Sequence, residues 1–181
     1  MTGSTHALIG AAIAAPPALS AGSLSPSAFL AGGADEAVAG LLPVAAVWAV
    51  GMFSALLPDI DHPGSELGRY IHLPLDHRGP MHSLFVAGLW VSIAGVTSYV
   101  LVPRLTLAAA AVAALGFLSH LAADSINPSP MALFWPVVRE KVRPDWLPAV
   151  SQRSLAGKLV ESGVWVAILG IVVGKLVSVL S

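Results

Sequence analysis

The chain has 181 residues, which suits one domain better than two, and no cysteine, which excludes disulfides and thiolate metal ligands. It is 56% hydrophobic and only 10% charged, with a mean hydropathy of +0.80, so an ordinary soluble globular protein is excluded and a single membrane-embedded domain over residues 1–181 is predicted. A net charge of −1 without a basic stripe excludes direct nucleic-acid binding as the main role.

Uncharged segments of about 20 residues, the length that crosses a bilayer as a helix, alternate with polar loops along the chain. The first predicted span is shorter and runs from His6 to about Pro16. Four more are predicted at residues 37–57, 84–102, 106–123 and 163–180. Residues 131–135 are too few to cross the membrane and are predicted to lie at its interface. The predicted fold class is therefore all-α, a polytopic membrane bundle of about five hydrophobic helices.

The basic residues predict an orientation for this bundle. Seven of the nine lie in two loops, residues 59–82 and 139–158, which a two-span hairpin separates and therefore places on one side of the membrane. Because cytoplasmic loops are enriched in Lys and Arg, we expect these loops to face the cytoplasm from the inner membrane.

One polar stretch interrupts the apolar pattern abruptly. After a long uncharged run, two carboxylates and an imidazole follow within four positions, at Asp59, Asp61 and His62. Pro58 and Pro63 bracket them, which predicts a stiff, non-helical turn. Taken alone, the stretch fits a polar loop that caps a helix as well as it fits a set of metal ligands.

The predicted topology brings further ligand-type residues to the same membrane face. His120 and Asp124 end the fourth span four residues apart, so they share one side of a helix and can share one ion. His82 begins the neighbouring antiparallel span. His6 begins the first span, and Glu161 precedes the fifth. Ionisable groups at such positions are expensive unless paired, so they indicate a functional site.

Four blocks occur in order along the chain: THALIG from Thr5, LLPDIDHP from Leu56, HRGPMHS from His77 and GFLSHLAAD from Gly116. Together they resemble the LexA-binding, inner-membrane-associated metal-dependent hydrolase family. The second and third blocks in combination are specific, although Met81 and Asn127 stand where threonine is usual in the family. The resemblance implies a membrane-bound enzyme that activates water with a metal.

The order of the ligand-type residues is also similar, more loosely, to that of zinc-dependent phospholipases C. Their order is an N-terminal His, an Asp, a His, a His-x-x-x-Asp pair and a late Glu. The matching residues are His6, Asp59, His82, His120 with Asp124, and Glu161. Gly157 stands where those enzymes have a further His, so the similarity implies one or two ions rather than three.

We therefore predict that these six residues bind a divalent metal, with zinc favoured over manganese or magnesium. Asp61 is predicted to bridge ions or act as general base, and His62 or His77 to protonate the leaving group. Arg78 is predicted to hold a phosphoryl oxygen. The expected substrate is a phosphoester, either a small molecule or a lipid, in a protein surrounded by membrane lipids.

Two other classes of function were compared with the hydrolase. A metal transporter needs ionisable groups along the membrane interior, whereas here they cluster at one end of the spans. A non-catalytic regulatory or binding protein, stapled by the metal and contacting a partner through residues 139–158, is the alternative. A site closed by four protein ligands would favour that alternative, because an enzyme needs an open coordination position.

Overall fold

The structure, a computed structural model, describes residues 34–71, 73–147, 149–151, 154–159 and 162. Three α-helices form most of this part of the chain: α1 (Ala34–Leu56), α2 (Leu84–Leu101) and α3 (Thr106–Ser125). Three short 3-10 helices accompany them: Leu57–Asp61, Pro80–His82 and Pro103–Leu105. Among the described residues the only β-type pairing is an isolated bridge between Met131 and Val142. The all-α prediction is confirmed for these residues.

The three helices begin and end within a few residues of three predicted spans. The predicted first and fifth spans lie outside the described residues. The predicted non-helical turn after α1 is wrong, because Pro58 lies in the first turn of a 3-10 helix. A proline is tolerated there, since the first turn of a helix has no internal acceptor for its N–H groups.

Local capping explains where α2 begins and how it reverses into α3. The Ser83 hydroxyl accepts a hydrogen bond from the Val86 N–H at 3.2 Å and donates to the Pro80 carbonyl at 2.7 Å. It thereby satisfies one of the N–H groups that a helix start leaves without a partner. After α2, Pro103 begins the 3-10 turn that leads into α3, which confirms the predicted tight hairpin.

Helix α3 is central and packs against both α1 and α2. Gly116 permits the close approach to α1, because a Cβ atom at this position would collide with the Gly51 carbonyl oxygen. Trp90 of α2 donates from Nε1 to the Ser54 hydroxyl of α1 at 2.7 Å. Small residues at crossings and hydrogen bonds between helices are typical of membrane bundles.

Two of the described helices are long and apolar enough to cross a membrane, Leu84–Leu101 and Pro103–Ser125, both with a hydropathy of 1.9. Only 6% of the apolar window is buried in the first, against 44% in the second. Helix α2 therefore has few fully buried residues and exposes large apolar side chains such as Leu89, Ile93 and Val96, for which lipid would be a better solvent than water.

One end of the bundle is covered by a polar cap. Helix α1 ends there, α2 begins there and α3 ends there, and residues 126–147 fold across this end. The Leu84 N–H donates to the Leu133 carbonyl at 3.0 Å, and the Ala132 N–H donates to the Arg78 carbonyl at 2.9 Å. Ala132 is buried in this cap, as is the neighbouring Met131, whereas Phe134 of the same segment is 50% exposed. The interfacial position of residues 131–135 stays a prediction.

Candidate metal centre

Four side-chain atoms from three elements converge at this end of the bundle. Asp59 Oδ1 comes from the 3-10 helix after α1, and His82 Nε2 from the 3-10 helix before α2. His120 Nε2 and Asp124 Oδ2 come from the last turns of α3. All four residues offer ligand atoms that lie within 4.8 Å of one another. Both imidazoles are fully buried, and Asp59, with its side chain 20% exposed, is the member most open to solvent.

The distances in the cluster match a metal coordination shell better than they match hydrogen bonds. His82 Nε2 is 3.4 Å from Asp59 Oδ1 and 3.5 Å from Asp124 Oδ2. His120 Nε2 is 3.5 Å and 3.9 Å from the same two oxygens. An N–H···O hydrogen bond is about 2.7–3.2 Å long. Ligands that lie about 2.0–2.1 Å from a tetrahedral zinc ion are about 3.3–3.4 Å apart, so these donors fit a divalent ion.

The backbone fixes the orientation of the His120 ring. Its Nδ1 lies 2.8 Å from the Ala55 carbonyl oxygen. A carbonyl only accepts, so Nδ1 must hold the proton, and in the neutral ring Nε2 then offers a lone pair to the cluster. Pro58 explains why this carbonyl is available. In a 3-10 helix the N–H of residue 58 would donate to the carbonyl of residue 55, but proline has no N–H.

Asp61 lies on the far side of the His82 ring from the four-atom cluster. Its Oδ2 is 3.6 Å from His82 Nδ1, and its Oδ1 is 2.9 Å from His77 Nδ1. Burial alone would raise the pKa of Asp61, but its contacts with these two histidines hold it below its usual value. A carboxylate behind a ligating imidazole orients the ring and raises its basicity. This position suits an orienting role for Asp61, and its predicted roles as a bridging ligand or general base stay predictions.

The same three residues form a second group that could hold an ion. Asp61, His77 and His82 each offer a ligand atom within 4.8 Å of the others. This group and the four-atom cluster share the His82 ring. The arrangement is compatible with the one or two ions predicted from the sequence.

The buried charges of the cluster perturb one another. Burial alone would lower the pKa of His82, but the surrounding carboxylates, that of Asp124 above all, raise it to about 10. Burial would raise the pKa of Asp59, but the neighbouring His120 and His82 rings hold it well below its usual range. The Asp59 carboxylate thus stays ionised, and the cluster attracts a positive charge, which a proton or a metal ion can supply.

Two side chains hold the Asp124 carboxylate from outside the cluster. Arg78 Nη2 lies 3.0 Å from Asp124 Oδ2, and its Nη1 donates to the Ser129 carbonyl at 2.7 Å. Asn127 Nδ2 donates to Asp124 Oδ1 at 3.0 Å. Arg78 has a φ of 60°, a left-handed conformation that is uncommon for residues other than glycine and occurs often at functional sites. The predicted phosphate-binding guanidinium therefore lies beside the cluster and is paired with one of its members.

Two further histidines form a row that leads away from the cluster. The ring centroids of His62 and His77 are 4.7 Å apart, and those of His77 and His82 are 5.3 Å apart. His77 contacts Asp61, whereas His62 accepts a hydrogen bond from its own turn, at Gly64. His62 is exposed, and in this row its ring lies beyond that of His77, further from the cluster.

Some predicted site residues lie outside the described part of the chain. His6 and Glu161 are among them, so their roles as metal ligands stay predictions. The structure does bring together four of the six predicted ligands: Asp59, His82, His120 and Asp124.

Sequence reasoning missed several groups that support the site. The Ala55 carbonyl is one, since backbone atoms leave no trace in a pattern of side chains. Asn127 was noted only as a family difference, although its position three residues after Asp124 fits its contact with that carboxylate. Lys141 was assigned only to a basic loop, yet its Nζ donates to the His77 carbonyl at 2.8 Å and pairs with Asp76 at 2.6 Å.

Comparisons with known proteins point to a membrane family. A family model described as YdjM inner membrane protein matches residues 1–180. Two curated relatives named Inner membrane protein YdjM, from Escherichia coli strain K12 and Shigella flexneri, are each 38% identical over 95 residues, which is 47% of this chain and 46% of the relative. The chain thus spans about half the length of the curated relatives it matches. No solved structure matches it.

Proposed function

The chain belongs to the YdjM inner membrane protein family, and we propose that it is a multi-pass membrane protein whose divalent metal site hydrolyses a phosphoester. The observation that best supports the metal site is the convergence of two buried imidazole nitrogens and two carboxylate oxygens, with N···O separations of 3.4–3.9 Å. Ionisable groups buried at the ends of membrane helices are expensive, and they usually have a function.

Zinc is the first candidate for the ion, followed by manganese and magnesium. Imidazole nitrogens suit zinc, while carboxylate oxygens also suit manganese and magnesium. In this proposal His82 and His120 supply the nitrogens, and Asp59 and Asp124 supply the oxygens. Because these ligands include no thiolate, their softness alone does not select zinc over manganese or magnesium.

A divalent ion, when bound, lowers the pKa of a water and polarises a phosphoryl oxygen. The side chains around the cluster would position the substrate and move protons. Asp61 would hold the His82 ring, and His77, 39% exposed and 2.9 Å from Asp61, would carry a proton between solvent and the leaving group. Arg78 keeps N–H groups beyond its contacts with Asp124 and Ser129, and we propose that these bind a phosphoryl oxygen.

The location of the cluster indicates the substrate class and the orientation. It lies where α2 begins and α3 ends, which is headgroup depth if these helices cross the membrane, so a lipid phosphoester is the favoured substrate. The basic loops predict that this face is cytoplasmic. The looser similarity to phospholipases C adds His6 and Glu161 as ligands in this proposal.

A phosphoester screen on metal-loaded protein in lipid nanodiscs tests the proposal. The wild type should hydrolyse at least one monoester, diester or phospholipid, and His77→Gln should lower that rate about 10²–10⁴-fold while retaining the metal. His62→Gln is the matched control and should keep most of the activity, because the His62 ring is exposed and lies beyond the His77 ring from the cluster. Metal-loaded wild type that is inert on every phosphoester would reject the hydrolase.

A second candidate is a non-catalytic regulatory protein in which the metal stabilises the fold of the polar cap. It is favoured by the count of four convergent protein atoms, which is enough to close a tetrahedral shell. In that case chelation should make residues 126–151 sensitive to proteolysis, and no phosphoester should be cleaved under any condition.

A further inference from the structure

A hairpin-like segment with an apolar tip projects from the polar cap. Residues 131–142, here called the cap hairpin, are closed by two backbone hydrogen bonds between Met131 and Val142, at 3.0 Å and 2.8 Å. At its tip Phe134 is 50% exposed and Val137 is 89% exposed, and Val138 is also exposed. Neighbouring apolar side chains that project together from a surface usually mark a contact with a membrane or another protein.

The position of the cap hairpin relative to α2 defines its depth. The Leu84 N–H, at the first residue of α2, donates to the Leu133 carbonyl at 3.0 Å. The Phe85 and Trp135 rings also pack edge to face, with centroids 5.8 Å apart. If α2, a candidate membrane span with large exposed apolar side chains, crosses the bilayer, its first residue lies near the membrane–water boundary. The tip is therefore fixed at the level of the lipid headgroups.

The polar residues around the tip suit a lipid surface. Arg139, Glu140 and Lys141 follow the tip and are all exposed, so polar groups directly flank the apolar ones. In the loop that follows the Leu57–Asp61 3-10 helix, Tyr70 is 78% exposed, and the Arg69 guanidinium lies 4.9 Å from the centroid of its ring. Aromatic rings with nearby cations are enriched at membrane interfaces, where one part of the side chain is apolar and the other is hydrated.

With α2 crossing the membrane, we propose that residues 134–138 insert into the headgroup–acyl boundary of the adjacent leaflet. The occupant of this surface is lipid. The same hairpin contacts Arg78, since the Ala132 N–H donates to the Arg78 carbonyl, and Arg78 pairs with Asp124 of the cluster. One segment thus links the proposed membrane contact to the candidate metal centre. The proposal requires no catalytic activity and is independent of the proposed hydrolysis.

Single cysteines can test this directly, because the natural chain has none. Val137→Cys and Glu140→Cys, three positions apart on the same hairpin, are labelled with an environment-sensitive fluorophore. The full chain is then reconstituted in nanodiscs of phosphatidylethanolamine and phosphatidylglycerol. Some nanodiscs contain lipids that carry a nitroxide near the headgroup end of the acyl chain, and iodide is the quencher in the aqueous phase. Circular dichroism shows whether both variants fold.

Lipid insertion predicts that the nitroxide quenches the label at position 137 at least about threefold more than the label at position 140, since the apolar face of an interfacial segment is buried about 5–10 Å into the boundary. Iodide should show the opposite order. Equal quenching at both positions by both agents would overturn the proposal. Protection at position 137 from iodide and nitroxide alike would also overturn it, and would assign the tip to a second copy or another protein.

Discussion

Asp61→Asn distinguishes an orienting carboxylate from a reacting one. The asparagine keeps the shape of the side chain but loses the charge that faces His82 Nδ1 at 3.6 Å and His77 Nδ1 at 2.9 Å. Loss of such a partner behind a ligating histidine typically lowers metal affinity about 10–100-fold, or about 1.4–2.7 kcal/mol. We expect the Kd for zinc to rise by that factor when metal-free protein in detergent is titrated against a chelator of known affinity.

Asp76→Asn is the matched control for this measurement. Asp76 is exposed, lies in the same loop and pairs with Lys141 at 2.6 Å, so its loss should change the Kd by less than about threefold. If Asp61 is instead a general base, its replacement should keep the affinity and reduce hydrolysis about 10²–10⁴-fold. An unchanged Kd in Asp61→Asn would refute the orienting role.

Four further predictions use other features of the structure. A metal must displace the His82 proton, whose pKa is raised from 6.5 to about 10, so the apparent affinity in the same titration should rise about tenfold per pH unit from about pH 7 to about pH 9. The metal-free protein should lose thermal stability as the pH rises through about 10, because a raised pKa stabilises the fold only while the proton is bound. Pro58→Ala adds an N–H that competes for the Ala55 carbonyl, so the zinc Kd should rise several-fold. Gly116→Val should push α3 from α1 and lower the free energy of unfolding by about 1–3 kcal/mol in a denaturant titration, whereas Gly88→Val, where a Cβ meets nothing within 4 Å, should change it little.

Much of the helical framework could be predicted from local sequence features. The uncharged runs predicted the positions of α1, α2 and α3, because a long apolar segment is visible in the sequence itself. The four-residue spacing of His120 and Asp124 predicted that they share a helix face, since a helix repeats every 3.6 residues. The antiparallel α2–α3 hairpin then predicted that His82 would lie near them.

The roles of the residues around the ligand atoms could not be predicted in the same way. The placement of Asp61 behind the His82 ring depends on how two 3-10 turns, far apart in sequence, pack against each other. The pairing of Arg78 with Asp124 depends on a left-handed residue and on the fold of the polar cap. Such long-range contacts are set by tertiary packing, which residue spacing along the chain does not record.

The metal content of the purified protein tests the central claim most directly. Wild-type protein, loaded with zinc and freed of unbound ion, should retain about one divalent ion per chain by elemental analysis, and a second only if the Asp61 group also binds one. His120→Ala and Asp124→Ala should retain less than about a tenth of that amount, and His62→Ala should match the wild type. Folded wild-type protein that holds no more metal than His120→Ala would contradict the assignment of the cluster as a metal site.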